Sequence, residues 1–224
     1  MNKSLAQRFG SVGNITLLNQ ITHKILSNED INETAQTILQ TLNTDLSAYG
    51  GVIYLPNKDK SALYTFAHTK NKIIDFLVKL LGHEDIFKIK FPLKSDIELA
   101  NCYKQGRVIK ANYLSSIFSP ILNKKVLDFI QKKIGVKLCV LFPIKLGKQM
   151  TKGVLLIAFS KEDITKDEMA VLEFYVNLAG IALDNSQKLE QILEKYQMEK
   201  QASAILSHEL KTPISISYNN SQIL

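Results

Sequence analysis

The sequence predicts an α+β domain, in which helices flank an antiparallel sheet, followed by a long helix. Three observations support this prediction. The chain opens with apolar residues at spacings of three and four, two pairs of strand-like runs follow, and a capped helical pattern closes it. Strands joined by short turns are antiparallel, and helices placed before, between and after them can cover both faces of the sheet.

Two helices are predicted before the first strand. The first covers residues 15–26, where apolar residues recur at helical spacing. Asp30 and Glu33 then resemble a capping box, which begins the second helix over residues 31–46. The Tyr-Gly-Gly tripeptide at residues 49–51 is predicted to end that helix.

Two hairpins are predicted in the middle of the chain. In the first, residues 52–55 and 63–68 flank a turn. In the second, residues 138–146 and 153–160 flank a loop at residues 147–152. Shorter elements are predicted between the hairpins, with helices at residues 72–81, 97–105 and 126–134 and extended segments at residues 87–93 and 107–111.

The last helix is predicted to begin at a strong capping box formed by Thr165 and Glu168. Beyond it, residues alternate by four and three, which is the spacing of two-stranded coiled coils and predicts a parallel homodimer. Polar residues within this seam weaken it and lead to the hypothesis that two packings have similar energies. The ten positions of this predicted seam are Leu178, Ala182, Asn185, Leu189, Ile192, Tyr196, Glu199, Ser203, Leu206 and Leu210.

The composition of the 224-residue chain is that of a soluble globular protein, with 46% apolar and 22% charged residues. Its longest apolar runs are too short to span a bilayer, and its first residues lead into no apolar export signal. Cys102 and Cys139 have neither paired spacing nor nearby ligands, which indicates reduced thiols. A cytoplasmic protein with an intracellular input and no membrane partner is therefore expected.

The formal net charge of +7 is concentrated in one stretch. Lysine rather than arginine, without an interleaved aromatic ladder, favours a solvated surface over a nucleic-acid surface there. Nucleic acid is therefore not the expected partner. His68 and His83 lack a second ligand at metal-binding spacing, so no metal site is predicted. The charged residues between positions 121 and 152 are Asp128 and the lysines Lys124, Lys125, Lys132, Lys133, Lys137, Lys145, Lys148 and Lys152.

The order of the predicted elements resembles that of GAF domains, with Phe91-Pro92-Leu93 in the middle and Phe142-Pro143-Ile144 in the last hairpin. The two leading helices and the long closing hairpin favour a GAF domain over a PAS-like sensor. The resemblance implies a sensor of a small-molecule signal, but the sequence identifies no ligand and no cofactor-binding residue in this domain.

One local motif is similar to that of bilin-binding GAF domains, namely Ser95-Asp96-Ile97. Glu98 replaces the proline that follows this motif in the family, and Tyr103 follows Cys102 where the family has histidine. These departures argue against a covalently bound bilin.

The last motif is Ser207-His208-Glu209-Leu210-Lys211-Thr212-Pro213-Ile214. In a helix, His208 and Thr212 share a face and Glu209 is adjacent, which brings a nucleophile, a proton acceptor and a hydroxyl together. The eight residues resemble the H-box of sensor histidine kinases. The resemblance implies that His208 is the phosphoacceptor, that Glu209 accepts a proton, and that Thr212 positions water for a phosphatase activity.

The kinase resemblance also implies partners and cofactors: ATP with Mg²⁺, a kinase ATP-binding domain, and the receiver domain of a response regulator. The sequence contains no Asn-rich nucleotide box, no glycine-rich lid and no P-loop. The chain is therefore expected to be the input and phosphoacceptor part of a kinase, inactive alone. The alternative is a non-enzymatic GAF module for ligand binding or dimerisation, with an unused H-box.

These predictions divide the chain into four segments. Residues 1–13 are a lead-in, and residues 14–185 are the GAF-like sensor domain. Residues 186–200 are a coiled-coil signalling linker, and residues 201–224 are a truncated phosphoacceptor helix that carries the H-box.

Overall fold

Eleven helices and strands are present in the computed structural model, which describes residues 31–45, 48–70, 88–146 and 150–221. The helices in these residues are α1 (Ile31–Asp45), α2 (Glu98–Gln105), α3 (Leu114–Phe118), α4 (Lys124–Ile134) and α5 (Lys166–Ser221). The strands are β1 (Gly50–Pro56), β2 (Ala62–His68), β3 (Lys90–Pro92), β4 (Ile109–Ala111), β5 (Leu138–Leu146) and β6 (Met150–Phe159). The helices predicted at residues 15–26 and 72–81 lie outside the described residues, as does His83.

The six strands form one antiparallel sheet in the order β3-β2-β1-β6-β5-β4. β1 pairs with β2, and β5 pairs with β6, as the two predicted hairpins require. The hairpins are joined by β1 and β6, whose pairing runs from Gly50 opposite Ala158 to Tyr54 opposite Val154. The predicted antiparallel sheet with flanking helices is therefore confirmed.

The two faces of the sheet bury two different sets of side chains. Along β6, Leu155, Ile157 and Phe159 enter a first core, which also contains side chains of α1 and α5. Val154 and Leu156 enter a second core, which also contains side chains of α2, α3 and α4. All five side chains are at most 5% exposed. Because both faces of this strand are buried, its sequence is a continuous apolar run and lacks alternation.

The last helix begins where its capping box predicts. The Thr165 amide donates a hydrogen bond to Glu168 Oε2 at 2.9 Å, and the Glu168 amide donates to Thr165 Oγ1 at 3.2 Å. α5 then continues for 56 residues. None of the helices within the described ranges is both long and apolar enough to cross a membrane.

The chain divides into two compact units, with the boundary between Asp184 and Asn185. In the first unit, Leu178 and Ala182 of α5 belong to the first core, where they are 7% and 3% exposed. These two members of the predicted seam therefore pack within the domain itself. The remaining residues of the predicted seam begin at Asn185, the first residue of the second unit.

Three local features differ from the sequence prediction. β1 begins at Gly50, so the glycines expected to end α1 are already part of the sheet. A Cβ on Gly51 would lie 2.9 Å from Leu39 Cδ2. Glycine at this position therefore allows α1 to pack closely against β1. β6 begins at Met150, inside the predicted loop. α3 is missing from the prediction because five residues are too few to show a helical period.

Candidate functional site

The motif at residues 207–214, in which the sequence predicts a phosphoacceptor, lies within α5. The backbone is helical at every one of these positions, including Pro213. A helical backbone places residues four apart on one face, so His208 and Thr212 share a face and Glu209 is the next residue around the helix. The side chains of His208, Glu209 and Thr212 are outside the described residues, so their chemical roles stay predictions.

The part of α5 before this motif exposes large apolar side chains. In the predicted seam, Ile192 and Tyr196 are each 64% exposed, and Leu206 is 59% exposed. Leu193, outside the seam, is 52% exposed, so exposure alone does not distinguish the seam from the rest of the helix. The prediction that this side of the helix meets a second helix therefore rests on the four-three spacing of the sequence.

A cluster of three aromatic rings lies in the second core. Tyr54 from β1, Phe91 from β3 and Phe118 from α3 have ring centroids 5.4–6.4 Å apart. Tyr54 meets Phe91 edge to face, at an interplanar angle of 89°. Burial raises the pKa of Tyr54, so its hydroxyl stays protonated at neutral pH. The cluster therefore joins two strands to the helical layer of the second core.

Both cysteines are buried in the second core. Cys102 on α2 is 0% exposed, and Cys139 on β5 is 1% exposed. Burial raises the pKa of each thiol to about 12, so neither provides the thiolate that nucleophiles and metal ligands need at neutral pH. Cys102 is therefore not placed for covalent attachment of a chromophore.

His68 ends β2 and belongs to a group of polar contacts between α1 and the sheet. Its Nδ1 lies 3.2 Å from the Thr69 carbonyl oxygen, and its own carbonyl oxygen accepts a hydrogen bond from Gln36 Nε2 at 3.3 Å. The Gly51 amide donates to Thr69 Oγ1 at 2.8 Å. In the part of the chain that the structure describes, no three histidine, cysteine, aspartate or glutamate residues are grouped as a metal site would require.

A cleft of about 940 Å³ lies among α2, α3 and α4. Carboxylates near the start of α2, serine hydroxyls of α3 and ammonium groups of α4 line it together. This mixture suits a small polar molecule that has both hydrogen-bond donors and acceptors. No pattern in the sequence indicates the cleft, because it forms only when three separate helices meet. Its lining includes Asp96, Glu98, Asn101, Ser115, Ser116, Lys124 and Lys132.

Gln131 holds α4 in position beside this cleft. Its side-chain nitrogen donates hydrogen bonds to the Asn112 carbonyl at 2.5 Å and to the Val136 carbonyl at 3.2 Å. Its side-chain oxygen accepts from the Leu114 amide at 2.8 Å. One side chain therefore connects α4 to the start of α3 and to the segment that leads into β5.

The family comparison covers most of the chain. The GAF domain family matches residues 28–184. These bounds lie within the sensor domain predicted at residues 14–185. None of the curated proteins matches the chain.

Solved structures of GAF domains and of part of a methyl-accepting chemotaxis protein have the same fold. The GAF domain of a phosphoenolpyruvate-protein phosphotransferase from Coxiella burnetii matches with a TM-score of 0.58 at 12% identity, covering 78% of this chain and 94% of that one. The corresponding Acinetobacter GAF domain matches with a TM-score of 0.57 at 10% identity, covering 80% and 96%. Residues 122 to 287 of a methyl-accepting chemotaxis protein match with a TM-score of 0.56 at 16% identity, covering 76% and 98%. Identities this low show the fold alone.

Proposed function

The chain belongs to the GAF domain family, and from that premise we propose that it is the sensor and phosphoacceptor part of a cytoplasmic sensor histidine kinase. GAF domains are signalling and ligand-binding modules. In this proposal the domain senses a small intracellular molecule, and α5 connects the domain to the phosphoacceptor His208. A response regulator then receives the phosphoryl group on an aspartate.

The observation that supports the proposal is that the H-box-like motif and residues of the first core belong to one continuous helix. α5 supplies Leu172 and Tyr175 to the first core, and its backbone stays helical as far as Ser221. The eight-residue motif at positions 207–214 is within that helix. In this proposal, the signal from the domain reaches His208 along this helix.

His208 is the nucleophile in this proposal. An imidazole with an ordinary pKa of about 6.5 is mostly uncharged at neutral pH, so one ring nitrogen has a free lone pair. This nitrogen forms a bond to the γ-phosphorus of ATP, and the bond to the ADP oxygen breaks with its electron pair. Glu209 accepts the proton from the other ring nitrogen, which leaves a neutral phosphoramidate ring. A kinase ATP-binding domain supplies the ATP and Mg²⁺, and Thr212 orients water in a phosphatase activity.

The decisive experiment is phosphorylation of the whole natural protein by γ-labelled ATP with Mg²⁺. The label is expected on His208, stable to base and released by acid, and His208→Ala should remove it. Glu209→Gln should slow labelling by about a hundredfold, the contribution typical of a general base. His68→Ala is the matched control and should keep the label. If no phosphohistidine forms, the kinase proposal fails and the non-enzymatic GAF module is the better account.

The proposal includes a parallel homodimer formed through the seam of α5. Ile192→Asp puts a charge into the seam and should weaken self-association at least about tenfold, because a buried unpaired carboxylate is costly. Leu193→Asp is the matched control, since Leu193 is the next residue, is similarly exposed and lies outside the seam. Sedimentation velocity on both variants measures the difference. Equal weakening by the two substitutions would contradict the seam.

A further inference from the structure

The outward side of α4 places an apolar side chain among lysines. Phe129 is 55% exposed and Val126 is 39% exposed, whereas Leu127 and Ile130 are buried in the second core. The neighbours of position 129 on a helix surface are the residues three and four positions away. Those neighbours are Lys125, Val126, Lys132 and Lys133. Phe129 is therefore at the centre of a basic face, which we call the Phe129 face.

The lysines of the Phe129 face form no ion pair within the described residues. Elsewhere in the domain, Lys110 pairs with Asp163 at 2.7 Å and Lys137 pairs with Glu162 at 3.1 Å. In the part of the chain that the structure describes, no ion pair involves a lysine of α4. Asp128 is the one acidic residue of this helix. The lysines of α4 are Lys124, Lys125, Lys132 and Lys133.

The Phe129 face is also held rigidly. Leu127 and Ile130, on the opposite side of α4, are 4% and 3% exposed. Gln131 connects the helix to its surroundings by the three hydrogen bonds described above. At its end, the Gly135 amide donates to the Gln131 carbonyl, with Gly135 in the left-handed conformation at φ 72°. The exposed ring and its lysines are therefore presented by an ordered helix, and binding does not require that helix to fold.

We propose that the Phe129 face binds the surface of an anionic lipid membrane. The phenyl ring of Phe129, with Val126 beside it, enters the boundary between headgroups and acyl chains. The lysine stems lie along the apolar region while their ammonium groups reach the lipid phosphates. The contact is peripheral and needs no membrane-spanning helix, so it revises the expectation of no membrane partner.

The composition of the Phe129 face favours a bilayer over a protein or a nucleic acid. Lysine is depleted in protein interfaces, and an exposed ring on a convex helix needs a matching pocket in a protein partner. A bilayer needs no pocket, because the ring can insert between lipids. Nucleic-acid surfaces combine positive charge with several stacking rings or groups that read base edges. Val126 can neither stack on a base nor hydrogen-bond to a base edge, and Phe129 is the one aromatic residue of α4.

The first test is co-sedimentation of the full chain with vesicles. Binding is expected to vesicles of phosphatidylcholine mixed with phosphatidylglycerol, and not to phosphatidylcholine alone. Lys125→Glu/Lys133→Glu should weaken it at least about 25-fold, since each lysine near an anionic surface contributes about fivefold. Lys58→Glu/Lys94→Glu changes the net charge equally at two exposed lysines outside α4 and should have little effect. Equal weakening by both pairs would show attraction by net charge alone and would overturn the proposal.

The second test uses the absence of tryptophan from the chain. Phe129→Trp places a single indole on the Phe129 face, and Phe174→Trp places one on α5, where Phe174 is 41% exposed. Anionic vesicles should shift the emission of Phe129→Trp to shorter wavelength, and brominated acyl chains should quench it. Phe174→Trp should show neither effect. Thermal melts that match the unsubstituted chain establish that both variants are folded.

Two results would overturn the membrane proposal in the tryptophan experiment. One is unchanged emission of Phe129→Trp when the protein sediments with the vesicles, because the ring would then not enter the lipid. The other is an emission change with DNA or with an acidic protein and none with vesicles, which would assign the Phe129 face to that partner. Neither result depends on His208, so the kinase proposal is tested separately.

Discussion

The first part of α5 ends at Asp184 and the second part begins at Asn185. Both parts contain large apolar residues, which are buried in the first part and exposed in the second. In the first part, Leu172 and Tyr175 are 0% exposed within the first core. In the second part, Leu193 is 52% exposed and Ile192 is 64% exposed. The comparison shows that apolar periodicity predicts a helix with a face to bury, while tertiary contacts decide whether the same domain covers that face. In the second part of α5, the domain leaves Ile192 and Leu193 exposed.

The largest expected difference between the two parts is in the free energy of unfolding that is lost when a leucine is replaced by alanine. Leu172→Ala should lower the free energy of unfolding of the domain by about 3 kcal/mol, because it leaves a cavity in a packed core. Leu193→Ala, the matched change in the second part, should alter it by at most about 0.5 kcal/mol. Urea denaturation of both variants measures the difference. Equal losses would mean that Leu193 is also packed in the folded domain.

The next largest effect is expected when a larger side chain is introduced into each part of α5. A Cβ on Gly180 would overlap the Lys145 carbonyl oxygen, because α5 lies directly on β5 at this point. Gly180→Ala should therefore lower the free energy of unfolding by roughly 2 kcal/mol, although alanine favours the helix by about 1 kcal/mol. Ala202→Gln adds a larger group at an exposed position and should change stability by at most about 0.5 kcal/mol. A stabilised Gly180→Ala variant in the same urea experiment would show that this close approach is absent.

The two parts also differ in their ion pairs. Asp184 lies 3.8 Å from Lys152 with a side chain 9% exposed, whereas Glu199 lies 4.0 Å from Lys195 with a side chain 68% exposed. Asp184→Ala should lower the free energy of unfolding by about 1.5 kcal/mol, because it removes a buried carboxylate that partners the half-buried Lys152. Glu199→Ala should have an effect below about 0.5 kcal/mol, since water screens an exposed pair. Raising the salt concentration in thermal melts should preserve this order, and its reversal would contradict the burial of Asp184.

The smallest effect is at the start of α5, where stability should depend on pH. Burial alone would raise the pKa of Glu168, but hydrogen bonds from Lys161 and from the Thr165 amide outweigh it and leave the pKa below its ordinary value of 4.5. The ionised Glu168 therefore stabilises the folded domain fully above pH 4.5. This contribution is lost as the pH falls through the lower pKa that Glu168 has in the folded state.

Glu168→Gln should lower the free energy of unfolding at neutral pH by about 1 kcal/mol and flatten its dependence on acid pH. The matched control is Glu162→Gln, because Glu162 forms an exposed pair with Lys137 and takes no part in the capping box. Thermal melts between neutral and acid pH measure both variants. A Glu168→Gln variant with the original acid dependence would assign that dependence to other carboxylates.

The candidate sites were predictable to different degrees. The motif that resembles an H-box is contiguous, so His208, Glu209 and Thr212 can be predicted as site residues without knowing which elements touch. The cleft among α2, α3 and α4 was not predictable, because its lining comes from segments far apart in the chain. The lysines of the Phe129 face were visible in the sequence as a charged stretch. Their relation to an exposed Phe129 required the orientation of α4, which its contacts with the second core determine.

The sequence by itself determined the local elements: the capping box at Thr165, the two hairpins, and the helical period of α4 and α5. These depend on interactions between residues close in the chain, so their patterns are visible in one dimension. Only the tertiary structure decided that β1 pairs with β6, that the glycines at positions 50 and 51 lie in a strand, and that Leu178 and Ala182 are covered by their own domain. The physical reason is that burial and strand pairing depend on contacts between distant segments, and residues with the same local pattern can be buried or exposed.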